Sequence, residues 1–207
     1  MEMITIVGCG PGARQCLTLE ALEAAASAEV LIGSPRLLDL FPEATGERIA
    51  VRGSLAEVEA AVSVHANRRI AVLVTGDPGI ASLSRLVLRR FGKEACRVIP
   101  GVSSVQTAFA RLGADWTGAR IVSAHCAVPE TPYPALEGET AIAILLGSPG
   151  AAHWSAGLAE HLGEGWALFL AENLTFPGET VEAITPEALR NVAGDALRIA
   201  ILLRRDQ

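Results

Sequence analysis

Short β-branched runs alternate with Ala- and Leu-rich stretches of helical period along the first half of the chain. Met3–Val7 reads as a strand, and Thr18 as the cap of a helix that runs to about Ala28 with Glu20 in its first turn. Glu29–Ile32 is a second strand. It leads into Gly33-Ser34-Pro35-Arg36, where Ser34 is a natural N-cap and Pro35 a natural first helical residue. Ser54-Leu55-Ala56-Glu57 has the capping-box pattern and opens a helix to about Ala66. Arg69–Thr75 is long and apolar enough for a central strand. Beyond Gly76–Gly79, the pattern predicts a helix over Ser82–Phe91 stopped by Gly92, a strand over Cys96–Ile99 and a helix over Val105–Leu112 ending at Gly113. Such alternation predicts a mainly parallel sheet covered on both faces.

The rhythm pauses around Asp115-Trp116-Thr117-Gly118. A second unit then offers strands at Ile121–Ala124, Thr140–Leu146, Trp166–Ala171 and Leu197–Arg204, with helices at Ala151–Leu162 and Pro186–Val192. Val128–Glu139 contains Pro129, Pro132 and Pro134 and predicts a loop, while Glu172–Thr180 reads as a hairpin or broad turn. The expected fold class is α/β, in two α/β domains spanning 1–114 and 118–207.

Composition narrows the chemistry. Half of the 207 residues are hydrophobic but only 4% are aromatic, so the core must be built from Ala, Val, Ile and Leu. The formal charge is −6 and no Lys/Arg run interrupts it, which argues against a nucleic-acid partner. Lys93 is the sole lysine. Arginine suits recognition of an acidic small molecule, although a GC-rich genome gives the same bias. Cys9, Cys16, Cys96 and Cys126 form no C-x-x-C and no His stands at ligand spacing, so reduced thiols and no metal site are expected. The beginning of the chain lacks a basic signal region, and no apolar run approaches the ~20 residues of a membrane span. The expectation is a cytoplasmic protein with no membrane partner.

Three glycine-proline loops follow strands of the first half. Gly8-x-Gly10-Pro11-Gly12-Ala13 invites a dinucleotide fingerprint, but Pro11 removes an N–H where a pyrophosphate needs donors. The helix starts late, and the candidate acid, Glu29, stands at the start of the second strand rather than following it. A tight turn without ligand stays open. Gly76-Asp77-Pro78-Gly79 sits at the carboxyl end of the central strand, where open α/β sheets place ligands, and Asp77 can attract a cation such as a sulfonium. Plain turn chemistry is the alternative. Pro100-Gly101-Val102-Ser103-Ser104 opens a helix, which its hydroxyls can cap or extend to a ligand. No P-loop, G-x-S-x-G or H-E-x-x-H accompanies these loops, so a small-molecule transferase fits better than a hydrolase or kinase.

In that order and spacing, G-x-G-P-G, G-D-P-G near 76 and P-G-V-S-S near 100 resemble the tetrapyrrole methylase family, and the resemblance covers the whole chain. Leu17-Thr18-Leu19, Gly33–Leu38, Ser123-x-His125 and Glu172–Glu179 are most similar to the cobalamin-pathway branch that methylates C-5 of precorrin-6Y or cobalt-precorrin-7. Cys126 departs from the glycine that relatives often carry after the histidine. The chain looks like the stand-alone form, with a decarboxylating C-15 methyltransferase as a separate partner. The resemblance implies S-adenosylmethionine (SAM) in a cleft between the two domains, S-adenosylhomocysteine as product, and usually a homodimer. Carried over by motif, the cofactor positions are Pro11, Gly76, Asp77, Ile80, Ser103 and Ser104, with Leu146 and Ala171 chosen from the second domain.

Methyl transfer to a ring carbon needs positioning and, for a macrocycle proton, a base. His125 is nominated for substrate orientation or that proton, with Glu172 as the alternative, and a structural histidine remains open. A tetrapyrrole carries many carboxylates, so Arg36 and then Arg14 are nominated to bind them; a solvated surface arginine is the bland alternative for each. His65, His153 and His161 lie in helical patterns and read as surface or core fillers. Other precorrins, an rRNA ribose, a modified histidine of a translation factor, or a nucleotide- or NAD-binding module are the competing readings.

Overall fold

The computed structural model describes residues 2–192 and 197–205. The chain divides by its contacts into two units, Met1–Ser104 and Val105–Gln207. In the first, strands β1 (Ile4–Gly8), β2 (Val30–Gly33), β3 (Glu47–Ala50), β4 (Ile70–Val74) and β5 (Cys96–Ile99) form an all-parallel sheet in the order β3-β2-β4-β1-β5. The apolar run that predicted a central strand is β4, buried at every residue.

Strand alternation sorts that sheet's side chains onto two helical layers. Val7, Leu31 and Leu73 face α1 (Leu19–Ser27) and α2 (Pro35–Leu38), whose Ala21, Ala25, Leu37 and Leu38 complete one core cluster. Ile4, Ile6, Ile32 and Val72 face α3 (Leu55–Val64) and α4 (Ser84–Phe91), which contribute Val58, Val62 and Val87. Thr18 caps α1 by accepting the Ala21 N–H at 3.1 Å. Ser54 accepts the Glu57 N–H at 3.2 Å, but the Glu57 carboxylate reaches back to the Arg52 N–H, two residues beyond the usual partner. Ser34 stands at the expected cap without a side-chain cap bond; its carbonyl receives the Leu37 and Leu38 amides instead.

The second unit holds β6 (Arg120–Ala124), β7 (Ala141–Leu146), β8 (Trp166–Glu172), β9 (Thr180–Ala183) and β10 (Arg198–Arg204), ordered β6-β7-β10-β8-β9. Only β6 and β7 pair in parallel. One face carries α6 (Ala151–Leu162) and α7 (Pro186–Arg190), and the other carries α5 (Ser104–Leu112) through Val105, Ala108 and Phe109. The Val128–Glu139 loop contains a 3-10 turn over Tyr133–Leu136 that inserts Leu136 into the core. Strands β3 and β9 have no counterpart in the sequence reading. Both are four-residue edge strands with mostly exposed or half-exposed side chains, so no apolar alternation marks them. Among the described residues no helix is long and apolar enough to cross a membrane.

Candidate functional site

Because β1, β2, β4 and β5 run parallel, their following loops all emerge at one edge. There the three glycine-proline loops interlock. Gly10 and Gly76 form a two-bond antiparallel bridge, Gly76 N–H to Gly10 O at 2.8 Å and Gly10 N–H to Gly76 O at 3.3 Å. Cys9 N–H donates to Val74 O at 2.8 Å. The Asp77 carboxylate ties the second loop to the third: Oδ1 accepts the Gly79 N–H at 2.7 Å and Oδ2 the Gly101 N–H at 3.2 Å. A Cβ placed on Gly8 would meet Gly101 N at 2.6 Å and Pro78 Cδ at 2.7 Å, so the loops are in backbone contact. Gly76, at φ 68°, has open space where its Cβ would stand.

This edge gathers Pro11, Gly76, Asp77 and Ile80 with the loop that ends in Ser103 and Ser104. Pro11 and Ser103 are buried, and Ile80 is half-buried with its N–H on Asp77 O at 3.2 Å. Ser104 opens α5. Arg36 reaches the same edge, donating to Thr75 Oγ1 at 3.1 Å, and burial lowers its pKa. Burial likewise pushes the Cys9 thiol up to about 12. Arg14 is exposed and paired with Glu43 at 2.7 Å. Glu29 stands before β2, at the opposite edge, where it accepts from Arg69 N–H at 3.1 Å. An acid there is out of reach of a ribose at the glycine loops.

In the second unit, a cavity of about 530 Å³ is lined by His125, Leu146, Gly147–His153, Arg190 and Arg198, among others. His125 and Leu146 are thus brought together. His125 is exposed and lies against Gly147, where any Cβ would strike its Nδ1. Glu172 faces Arg198 across the β8–β10 register and accepts from its Nε at 2.6 Å. Ala171 is buried in the core, in a strand paired on both sides by β10 and β9. His153, read as a filler, stands on the cavity wall; His65 contacts Arg68 at 3.1 Å and His161 pairs with Glu137 at 2.7 Å. Nothing in a helical pattern distinguishes a cavity-lining histidine from a solvated one.

The Glu172–Glu179 segment is a tight turn between β8 and β9. Phe176 N–H donates to Asn173 O at 2.9 Å and Glu179 N–H to Phe176 O at 3.0 Å, while Leu174 is buried. Glu179 bonds Arg111 of α5, whose guanidinium holds the carboxyl below the usual carboxylate range.

Comparison with known proteins places this geometry. Residues 3–189 match the family described as Tetrapyrrole (Corrin/Porphyrin) Methylases. The chain is 35% identical over 123 residues to the cobalt-precorrin-7 C(5)-methyltransferase of Salmonella typhimurium, covering 59% of this chain and 61% of that protein. It thus spans about three fifths of that relative's length. The solved structure of the cobalamin biosynthesis precorrin-6Y methylase from Archaeoglobus fulgidus is 30% identical, covers 98% of both chains and superposes with a TM-score of 0.72. The uroporphyrin-III C-methyltransferase of Thermus thermophilus, complexed with S-adenosylhomocysteine, shares the fold at 23% identity, 97% coverage of both chains and a TM-score of 0.75. The chain therefore belongs to the tetrapyrrole (corrin/porphyrin) methylases.

Proposed function

We propose that this chain is a SAM-dependent C-methyltransferase that methylates C-5 of a precorrin or cobalt-precorrin in cobalamin biosynthesis. The observation that carries this reading is the interlocked loop set at the carboxyl edge of β1, β4 and β5, in a chain resembling a precorrin-6Y methylase over nearly its whole length. The residues fit the cofactor. Gly76 leaves an open, side-chain-free approach, and Asp77 offers a carboxylate whose two oxygens each accept only one backbone N–H. Pro11, Ile80, Ser103 and Ser104 complete the first-unit set.

When bound, SAM supplies an electrophilic methyl group on a positively charged sulfur. The chain must hold the acceptor carbon in line and exclude water, which can contribute ~7–11 kcal/mol. Asp77 favours the sulfonium charge over neutral surroundings. Arg36, already at the loop edge, is placed to clamp a substrate carboxylate. His125 carries the macrocycle proton more readily than Glu172 does, because Glu172 would have to surrender its ion pair with Arg198 to act as a base. On the same reading the chain works as a cytoplasmic homodimer.

Incubation with methyl-labelled SAM and a panel of precorrins, reading the methylated carbon, tests the proposal. Label at C-5 supports it; label at another ring carbon replaces it with a different precorrin methylase.

A further inference from the structure

Three non-glycine residues among the described ones have left-handed backbone: Ala81 at φ 45°, Asn173 at φ 50° and Thr175 at φ 71°. Asn173 and Thr175 belong to the turn after β8, where Glu179 accepts the Thr175 N–H at 2.5 Å and closes the turn locally. Ala81 stands one residue beyond Ile80, in the loop that carries Asp77. It is exposed, so packing of its own methyl group does not hold it there. The left-handed region is costly for alanine and persists only where neighbouring bonds impose it.

At Ala81 the bonds come from Ser84, the first residue of α4. Ser84 is 2% exposed, and its hydroxyl donates to the Pro78 carbonyl. Its N–H donates to Ser82 Oγ at 3.2 Å. A buried serine inside a helix can satisfy itself on the preceding turn, as Ser155 does by donating to Ala151 O at 2.8 Å. Ser84 has no helical turn before it and reaches out of its helix instead. That bond closes residues 78–84 into a ring with Ala81 near its middle. Pro78 is buried, and its Cδ stands 2.7 Å from where a Cβ on Gly8 would lie. Asp77 is bound into the same turn, its carbonyl accepting the Ile80 N–H at 3.2 Å and its Oδ1 the Gly79 N–H at 2.7 Å. Helix α4 is anchored by Val87, fully buried in the core cluster of Ile6 and Val72. The Ser84 hydroxyl thus ties the Asp77 turn to a helix rooted in the core of the first unit.

We propose that Ser84 is a positioning residue that acts through Asp77: its hydroxyl keeps Ala81 left-handed and so holds the Asp77 carboxylate where it meets the sulfonium charge of SAM. This rests on the functional reading above. Without the hydroxyl, a buried carbonyl loses this donor and Ala81 is released toward the right-handed region.

Calorimetric titration with SAM tests it. Ser84→Ala is expected to weaken SAM binding about tenfold, and binding of the neutral S-adenosylhomocysteine by about threefold at most. In an Asp77→Asn chain the same substitution should change SAM affinity by about twofold at most, because the carboxylate it positions is already gone. Val87→Ala measures mere destabilisation through the same helix. It should lower the melting temperature by several degrees yet leave SAM affinity within about twofold. Losses from Ser84→Ala and Asp77→Asn that multiply to about a hundredfold in the double variant overturn the proposal. So do equal losses for the two ligands, a Val87→Ala loss as large as that of Ser84→Ala, or a Ser84→Ala chain that binds like the native one. Should Ser84→Ala not fold, it is made in an Ala81→Gly chain, where glycine holds the left-handed backbone unaided. There the loss of SAM affinity should stay within about threefold, and a tenfold loss overturns the assignment. A native chain that binds SAM but methylates no precorrin refutes the functional reading and leaves this one standing. A native chain that binds no SAM removes both.

Discussion

The glycine loops of the first unit and the Glu172–Glu179 turn of the second hold unusual backbone by opposite means. At the first, side chains are removed: Gly8 and Gly101 let three loops touch through main-chain atoms, and a single carboxylate, Asp77, staples them. At the second, side chains are added: Glu179, itself bonded to Arg111, holds Thr175 where glycine would sit without strain. The first arrangement fails when bulk is introduced. The second fails when the acceptor of the Thr175 N–H is removed, and bulk has little to do with it.

Gly8→Val should break the first arrangement outright. Its branches have Gly101 and Pro78 for neighbours, and overpacking of this kind costs about 3 kcal/mol, or about 6–12 °C in melting temperature for a chain this long. Calorimetry giving the native transition would show that the loops have slack. His125→Asn should lower kcat about 100-fold while leaving both ligands bound, and Glu172→Gln should cost less because that carboxylate is committed to Arg198. Equal losses would return Glu172 to candidacy as the base.

Asp77→Asn sharpens the contrast within one residue. The amide can preserve one backbone staple but not the charge, so affinity for SAM should fall about tenfold and affinity for the neutral thioether product by about threefold at most. Equal losses would make Asp77 a purely structural staple. The smallest effect is chemical. A thiol pushed up to about 12 is protonated at pH 8, so iodoacetamide should spare Cys9, buried in the first loop, and label exposed Cys126 beside His125. Labelling of Cys9 in the native state would mean that the first loop opens.

The sequence made local signals legible and long-range partnerships illegible. Thr18, Pro35 and Ser54 act within three residues of themselves, so caps and helix starts could be read directly. The glycine-proline loops announced themselves by turn chemistry, and the parallel sheet of the first unit by the alternation of strands and helices, though not its strand order. The partners of the charged groups did not. Asp77 bonds Gly101 24 residues away, and Glu179 bonds Arg111 68 residues away, distances at which only the folded topology decides. The Glu172–Arg198 pair needed the antiparallel register of β8 and β10, whose order a sequence of short apolar strands leaves open. Arg14, nominated after Arg36, pairs with Glu43, a partner that the sequence did not show.

Helix α5 completes the strand–helix rhythm of the first half, yet Val105, Ala108 and Phe109 are buried among Ala141, Ala143, Ile199 and Ile201 of the second sheet. For anyone exchanging halves between methylases, the workable seam therefore lies before Ser104. A graft beginning at residue 118 would leave its own core without Phe109, and loss of a buried phenylalanine alone costs about 3–5 kcal/mol. Carrying the helix along keeps the hydrophobic interior of the transplanted half intact, so what a hybrid then gains or loses in specificity would report on its loops and not on a collapsed core.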